Sequence, residues 1–432
     1  MTSPDFYPPT LRPWLVRLIQ WNAEWIARWL YWIDLEVAPE QLQHLINLKG
    51  DRVLLLPNHP TFHDPVVMFM LSAKVKQSFY YMAAYETFDN PSTMFLISAG
   101  FKPLHRLAQS DYVTKGLRWL LQQLGMYSIR RGLADRPSIA QTLALLAEPG
   151  CHLVIFPEGG CSFQNDTVMP FRSGGIHMAF QALNKYAKNQ EAIPNLYVVP
   201  VSIKYHYTDE TQPIIERSLQ GLEAHFGITP ELDIQPDDYA RLRAIAERVL
   251  STIEADYGLT PPNSLRQDWN DRIQVLKHRV IEACEQQLSI TSAPGDFIRE
   301  RVYKIQHRLR TQADAIDQQL DWSYSLVEKT MIRLLNFDAI YDGYVGAHPT
   351  PERFLDTLIR LEREVFNIDQ PPPKGHRIAQ VSLGEPYNLK DRFDEYQQER
   401  SATVDNVITK AHAAVQQNLG NTEVLDNLDS SD

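Results

Sequence analysis

Apolar and polar positions along the chain fall into three regimes. Between residues 14 and 32 the apolar side chains recur at three- and four-residue steps: Trp14, Leu18, Trp21, Trp25, Trp29 and Trp32, with Leu15, Ile19, Ile26 and Leu30 beside them. That spacing predicts a helix with a wide apolar face. From about residue 53 to residue 205, short aliphatic or aromatic runs alternate with helix-period stretches, and Pro or Gly punctuates the joins. Residues 53–56, 79–84, 125–132, 152–156 and 196–203 read as strands. Helices are expected from Asp64 to about Ala73 and over 91–101, 138–147 and 176–185. Between residue 205 and about residue 370 the period turns helical. Residues 238–257, 267–288, 297–320, 324–344 and 351–366 carry apolar residues at helical spacing, such as Ile273, Leu276, Val280 and Cys284, which predicts a packed bundle or lobe.

Strand and helix in alternation predict an α/β fold, with a sheet flanked by helices and a site beyond the carboxyl ends of its strands. Residues 370–375 (Gln-Pro-Pro-Pro-Lys-Gly) form a stiff linker. The stretch 378–386 then alternates like one more strand, and 403–419 reads as a last helix. The expected organisation is an N-terminal amphipathic segment (1–45), an α/β core (46–208) and a helical insertion or second domain (209–376). A return strand and final helix of the core follow (377–420), then an acidic, disordered tail (421–432).

Charge and cysteine usage narrow the function classes. A net charge of -11 argues against a general nucleic-acid partner. Cys151, Cys161 and Cys284 are odd in number and lack a metal-like spacing, so a reducing compartment is expected. No secretory signal is read at the N-terminus, and no apolar run reaches the ~18 residues of a membrane span. Five of the eight tryptophans, Trp14, Trp21, Trp25, Trp29 and Trp32, crowd the first helix with arginines interspersed. Tryptophan favours the headgroup boundary of a bilayer, so the helix is expected to lie on a lipid surface, making the protein peripheral to a cytoplasmic membrane face. The plain alternative is that these rings are core bulk.

The candidate chemistry begins where the strand 53–56 runs into Pro57-Asn58-His59-Pro60-Thr61-Phe62-His63-Asp64-Pro65. His59 is expected in the turn, and Asp64 at the helix N-cap with Pro65 behind it. A carboxylate on one imidazole nitrogen fixes the tautomer and leaves the other free to take a proton. This is part of a triad with no serine or cysteine placed as its nucleophile. The bland alternative is a turn histidine beside a capping aspartate. A metal held by His59 and His63 is disfavoured, because Pro60 keeps them off a helix and no third cluster follows. No metal and no cofactor are expected. Arg130 and Arg131 close the strand 125–132, where guanidinium forks suit a phosphate. Glu158 and Gly159 lie in a glycine turn after the strand 152–156, and Arg172 follows.

The ordered blocks Asn-His-Pro-Thr-Phe-His-Asp, Ser-Ile-Arg-Arg-Gly, Phe-Pro-Glu-Gly and Val-Val-Pro-Val-Ser resemble those of the glycerolipid acyltransferases, which act on glycerol 3-phosphate or its 1-acyl derivative. The resemblance covers residues 54–203. It implies a mixed or mostly parallel sheet, a peripheral membrane enzyme, and acyl-CoA or acyl carrier protein as the thioester co-substrate. His59 would be the general base and Asp64 its partner. Arg131 and, more weakly, Arg130 would hold the acceptor phosphate, while Glu158, Gly159 and Arg172 would shape the acceptor site. Gly160 stands where Thr or Ser is usual, and Arg172 where Lys is common. The rival reading is a helical interaction or scaffold protein built on a repurposed acyltransferase core.

Overall fold

A computed structural model describes residues 5–89, 91, 110–228, 237–259, 268–293, 295–311, 324–337, 340–368 and 370–429. The expected helix at 91–101 lies outside these, apart from residue 91. The chain divides into two compact units, one of Met1–Arg130, Ala134–Asp209 and Gly375–Asp432, the other of Arg131–Leu133 and Glu210–Lys374.

The first unit holds an eight-stranded sheet. Its strands are β1 (Ile33–Val37), β2 (Arg52–Pro57), β3 (Tyr80–Ala84), β4 (Met126–Ile129), β5 (His152–Val154), β6 (Leu196–Tyr207), β7 (Arg377–Leu383) and β8 (Tyr387–Asn388). They lie in the order β1-β7-β6-β2-β5-β3-β4, with β8 beside β6. The pairs β6–β7 and β6–β8 are antiparallel, and the others parallel. This is the mixed, mostly parallel α/β sheet of the sequence reading.

β2 is buried along its whole length, as a parallel strand covered on both faces must be. Its side chains alternate between the faces. Leu54 and Leu56 join Phe180, Leu183 and, from the last helix, Val404 and Val415. Val53 and Leu55 join Val67, Met68 and Leu71 of helix Asp64–Lys74. β6 runs well past β2. Their ladder ends at Pro57↔Val201, yet β6 continues to Tyr207 because β7 supports its other edge through Tyr207↔Arg377. On the open edge two asparagines take the place of a strand. Asn58 donates to the Ile203 carbonyl at 3.0 Å and accepts from its N–H at 2.7 Å, and Asn165 does the same to Tyr205 at 2.6 and 2.7 Å.

The chain re-enters the sheet at β7, where Val381 pairs with Ile203 and with Val37. The two strand ends that flank the long excursion are tied together: Thr208 N–H donates to the His376 carbonyl at 3.0 Å, and His376 N–H to Asp209 at 2.8 Å.

The structure departs from the sequence reading in three places. The N-terminal helix is not continuous: Pro13–Trp21 ends at Asn22, Ala23–Ile26 resumes, and a π-helical turn spans Ala27–Tyr31 before left-handed Trp32. Its packed edge is made of Val16, Gln20, Ala23, Ala27 and Tyr31 rather than the tryptophans. Ala23 and Ala27 sit on Met70, and Gln20 donates to Ser72 Oγ at 2.9 Å and to the Gln77 carbonyl at 2.8 Å. Second, Asp64 is the first helical residue rather than the cap, because His63 occupies the cap position and the Asp64 carboxylate turns back on Thr61. Third, the last helix runs Arg400–Asp429, so the backbone from 421 to 429 is helical despite its acidic composition. Once a helix is nucleated, each added residue gains a hydrogen bond, and solvated carboxylates do not prevent this.

In the second unit the helices Gln212–Phe226, Asp238–Asp256, Trp269–Gln287, Ile298–Thr311, Tyr324–Phe337 and Pro351–Val365 bury one stripe each. Buried Arg272 and half-buried Arg241 are paired, as a desolvated charge requires. Arg272 reaches Glu254 at 2.7 Å and Glu247 at 2.8 Å, and Arg241 reaches Glu223 at 2.8 Å.

One core residue makes stability pH-dependent. His152, at the start of β5, stacks on Phe79 and is held neutral by burial, its pKa pushed down to about 4. An unfolded chain takes up the proton near pH 6.5 and the native one only near 4, so stability falls as pH drops through that window. The loss reaches roughly 3 kcal/mol at ~1.4 kcal/mol per pH unit. Urea unfolding at pH 7 and pH 4.5 measures it. His152→Gln should flatten the difference; an undiminished slope in that variant would assign it to other groups.

Candidate active site

The site forms where β2 and β5 end and β6 overshoots them. Pro57 closes β2, and Pro60 forbids an immediate helix. The intervening turn brings His59 over the start of helix Asp64–Lys74. His59 Nδ1 lies 2.6 Å from Asp64 Oδ2. The Asp64 side chain is 0 % exposed and that of His59 12 %. The imidazole stacks on Phe156, ring centres 4.3 Å apart.

Asp64 is held by more than the histidine. Thr61 N–H donates to Oδ2 at 2.9 Å, while Thr61 Oγ1 at 2.9 Å and Tyr205 Oη at 2.7 Å donate to Oδ1. These donors satisfy the buried carboxylate on both oxygens. Burial, and then the Asp64 charge, raises the Tyr205 pKa well above its ordinary value, so the phenol stays protonated and keeps donating. Arg377 of β7 lies over the Tyr205 ring at 4.8 Å and approaches His63 Nδ1 at 3.3 Å. The two histidines of the turn therefore face different partners. Among the described residues no group of three or more His, Cys, Asp or Glu side chains could hold a metal ion.

Glu158, 2 % exposed, accepts the His59 backbone N–H at 2.6 Å and the Met169 N–H at 3.2 Å. It fixes the turn that carries the imidazole. Gly159 has a positive φ of 75°, and a Cβ there would stand 2.8 Å from Arg172 Cζ. Only glycine lets that guanidinium lie on the backbone of the loop. The Arg172 backbone N–H in turn donates to the Pro157 carbonyl at 2.9 Å.

The sequence-selected residues thus separate. His59, Asp64 and Glu158 converge, and Gly159 and Arg172 pack together in the adjoining loop. Arg130 pairs with Asp5 at 2.8 Å and lies over the Tyr85 ring at 4.9 Å. Arg131 groups with the helical unit, donating to Tyr303 Oη at 2.8 Å with its guanidinium 4.2 Å over that ring. The sequence reading missed Tyr205, Thr61, Arg377 and Cys161. Cys161 Sγ lies 3.5 Å from His59 Nε2, which corrects the expectation that no cysteine stands near the pair. Tyr205 could have been found from the alternation along β6, since Val199, Val201, Ile203 and Tyr205 share one face.

At the N-terminus the tryptophans point outward. Trp14, Trp21, Trp25, Trp29 and Trp32 are all exposed, Trp21 to 86 %, and Leu18 stands exposed among them. Among the described residues no helix is long and apolar enough to cross a membrane.

Residues 93–204 match the family model described as Acyltransferase. The matched segment, less than half the chain, takes in β4, β5, the Glu158 loop and most of β6, and begins after Asp64. No curated protein matches the chain.

Proposed function

We propose that the chain, whose residues 93–204 match the Acyltransferase family model, is a membrane-surface O-acyltransferase with His59 as general base. It moves a fatty acyl group from a thioester, acyl-CoA or acyl carrier protein, to a hydroxyl of a glycerol-phosphate-type lipid. The observation that carries this reading is the His59–Asp64 contact at 2.6 Å, made beside the carboxyl ends of β2 and β5. Asp64 accepts from Nδ1–H, which leaves the lone pair on Nε2. That nitrogen takes the hydroxyl proton as the oxygen attacks the thioester carbonyl, and returns it to the departing sulfur. Asp64 stabilises the imidazolium in between. Glu158 and Phe156 keep the ring in place.

The exposed tryptophan face supports work at a lipid surface, since contiguous aromatic patches left open on a soluble protein mark contact surfaces. On this reading the protein is peripheral, on the cytoplasmic side, where its three free cysteines stay reduced. Arg172, Arg130 and Arg131 are the candidates for the acceptor phosphate.

The test is transfer from a labelled thioester to a panel of acceptors presented in lipid vesicles. Acylation of a phosphate-bearing acceptor is expected. Trp21→Ala with Trp25→Ala should weaken vesicle binding by on the order of 30- to 10³-fold, given ~1–2 kcal/mol for each of the two rings no longer buried. A folded protein that binds vesicles but acylates no acceptor would replace this reading with that of a helical interaction protein on a repurposed core.

A further inference from the structure

Two kinds of donor hold Asp64. Thr61 belongs to the histidine turn and moves with it. Tyr205 belongs to the sheet, on β6 beyond Val201 where the β2 ladder ends, and its Oη lies 2.7 Å from Asp64 Oδ1. Thr61 Oγ1 is also near the phenol oxygen, at 3.2 Å. A carboxylate only accepts, whereas a hydroxyl can do either, so the single phenol proton goes to Asp64. Tyr205 itself has little freedom. It is 2 % exposed, its N–H and carbonyl are taken by Asn165 at 2.7 and 2.6 Å, and it pairs with Ala379 of β7. A side chain locked in this way is the rigid support that a catalytic group needs.

Against the face of the Tyr205 ring sits an anomaly. Arg377 is 5 % exposed, yet among the described residues no carboxylate stands at ion-pair distance from it, and its Nε has no hydrogen-bond partner. Its guanidinium lies 4.8 Å over the ring and approaches His63 Nδ1 at 3.3 Å. A buried cation without a counter-ion costs stability that an apolar side chain would not. Stability therefore does not explain the residue. A cation over a phenol draws electron density from it and makes the O–H a stronger donor, and here the acceptor is the carboxylate of the dyad. The two charges act on one group: after burial, Asp64 raises the Tyr205 pKa and Arg377 opposes it.

We propose that Tyr205 and Arg377 are positioning residues for the base. Arg377 polarises the Tyr205 hydroxyl, Tyr205 ties Asp64 Oδ1 to the sheet, and Oδ2 is thereby aimed at His59 Nδ1. The proposal rests on the reading of His59 as general base, and both residues act through Asp64. On this account β7 does more than extend the sheet; it supplies the charge behind the dyad.

The experiment is steady-state transfer by the full chain from a labelled long-chain acyl-CoA to the same panel of acceptors in phosphatidylcholine vesicles, with thermal unfolding in parallel. Tyr205→Phe keeps the ring and removes the proton. Its kcat should fall about 10- to 10²-fold with KM unchanged, as for loss of a hydrogen bond to a charged group. Arg377→Met should lower kcat roughly 2- to 30-fold, the range for one cation–ring contact. It should not lower the melting temperature, because a buried charge without a counter-ion goes with it. Arg377→Lys, which restores a cation, should recover part of the loss. In an Asp64→Asn chain, Tyr205→Phe should change kcat by less than about 2-fold, since a group acting only through Asp64 has nothing left to position. Native kcat in Tyr205→Phe, an undiminished effect of that change beside Asp64→Asn, or rates that fall only in step with the melting temperature would overturn the proposal. An inactive His59→Ala would still leave His59 as the base in that case. Transfer by His59→Ala at the native rate, or none from the native chain, would overturn the base reading and this proposal together.

Discussion

Alanine at His59 is expected to lower acyl transfer by about 10²–10⁴-fold, the range for loss of a positioned general base. The fold should survive the change. Asp64 would lose one donor but keep Thr61 N–H, Thr61 Oγ1 and Tyr205 Oη, so the buried carboxylate is not stranded. Single-turnover transfer, with thermal unfolding measured in parallel, separates the two effects. A His59→Ala chain that transfers at the native rate would remove the imidazole from the mechanism. Glutamine at the same position, which can hydrogen-bond Asp64 but cannot act as the base, should be as inactive as alanine.

Asparagine at Asp64 is expected to cost a comparable factor in rate, roughly 10²–10⁴, and to destabilise the protein as well. The carboxylate accepts from four donors. An amide has one acceptor oxygen and a two-donor nitrogen, so one side of the group would face donors with donors. Each buried donor left unsatisfied costs about 1–3 kcal/mol. The imidazole would meanwhile lose the charge that stabilises its protonated form. Denaturant unfolding and steady-state transfer test the two halves of the expectation. Native activity in Asp64→Asn would reduce the contact to a structural one and with it the dyad.

Much of this site was legible because its first contact is local. His59 and Asp64 are five residues apart, and Pro60 and Pro65 restrict the turn between them, so the pairing follows from short-range geometry. The strands were legible for a similar reason: aliphatic runs such as 53–56 must be buried on both faces. What escaped was set by distant parts of the chain. Tyr205 reaches Asp64 only because β6 overshoots β2, and Arg377 reaches Tyr205 only because β7 returns beside β6. Glu158 was read as shaping the acceptor site, and its contacts with the His59 and Met169 amides come from distant parts of the chain that the sequence does not pair. A strand-end arginine suits a phosphate or a tyrosine ring equally well, and Arg131 engages Tyr303. The tryptophan stripe was ambiguous between core and surface until Val16, Gln20, Ala23, Ala27 and Tyr31 proved to be the packed edge.

The position of β1 bears on how the chain is made. β1 ends at Val37 and, among the described residues, has β7, which begins at Arg377, as its one partner in the sheet. At ~5–20 residues per second, ribosomal synthesis takes roughly 20–70 s to cover that interval. Throughout it, β1 and the tryptophan-bearing segment before it wait without a ladder, and so does the β7-facing edge of β6 once it has emerged. Unpaired edges and exposed aromatic rings are what chaperones bind and what drives aggregation. The nascent chain therefore resembles a client protein until about its last eighth leaves the ribosome, and a stop codon placed just before β7 should yield aggregates rather than a smaller folded enzyme.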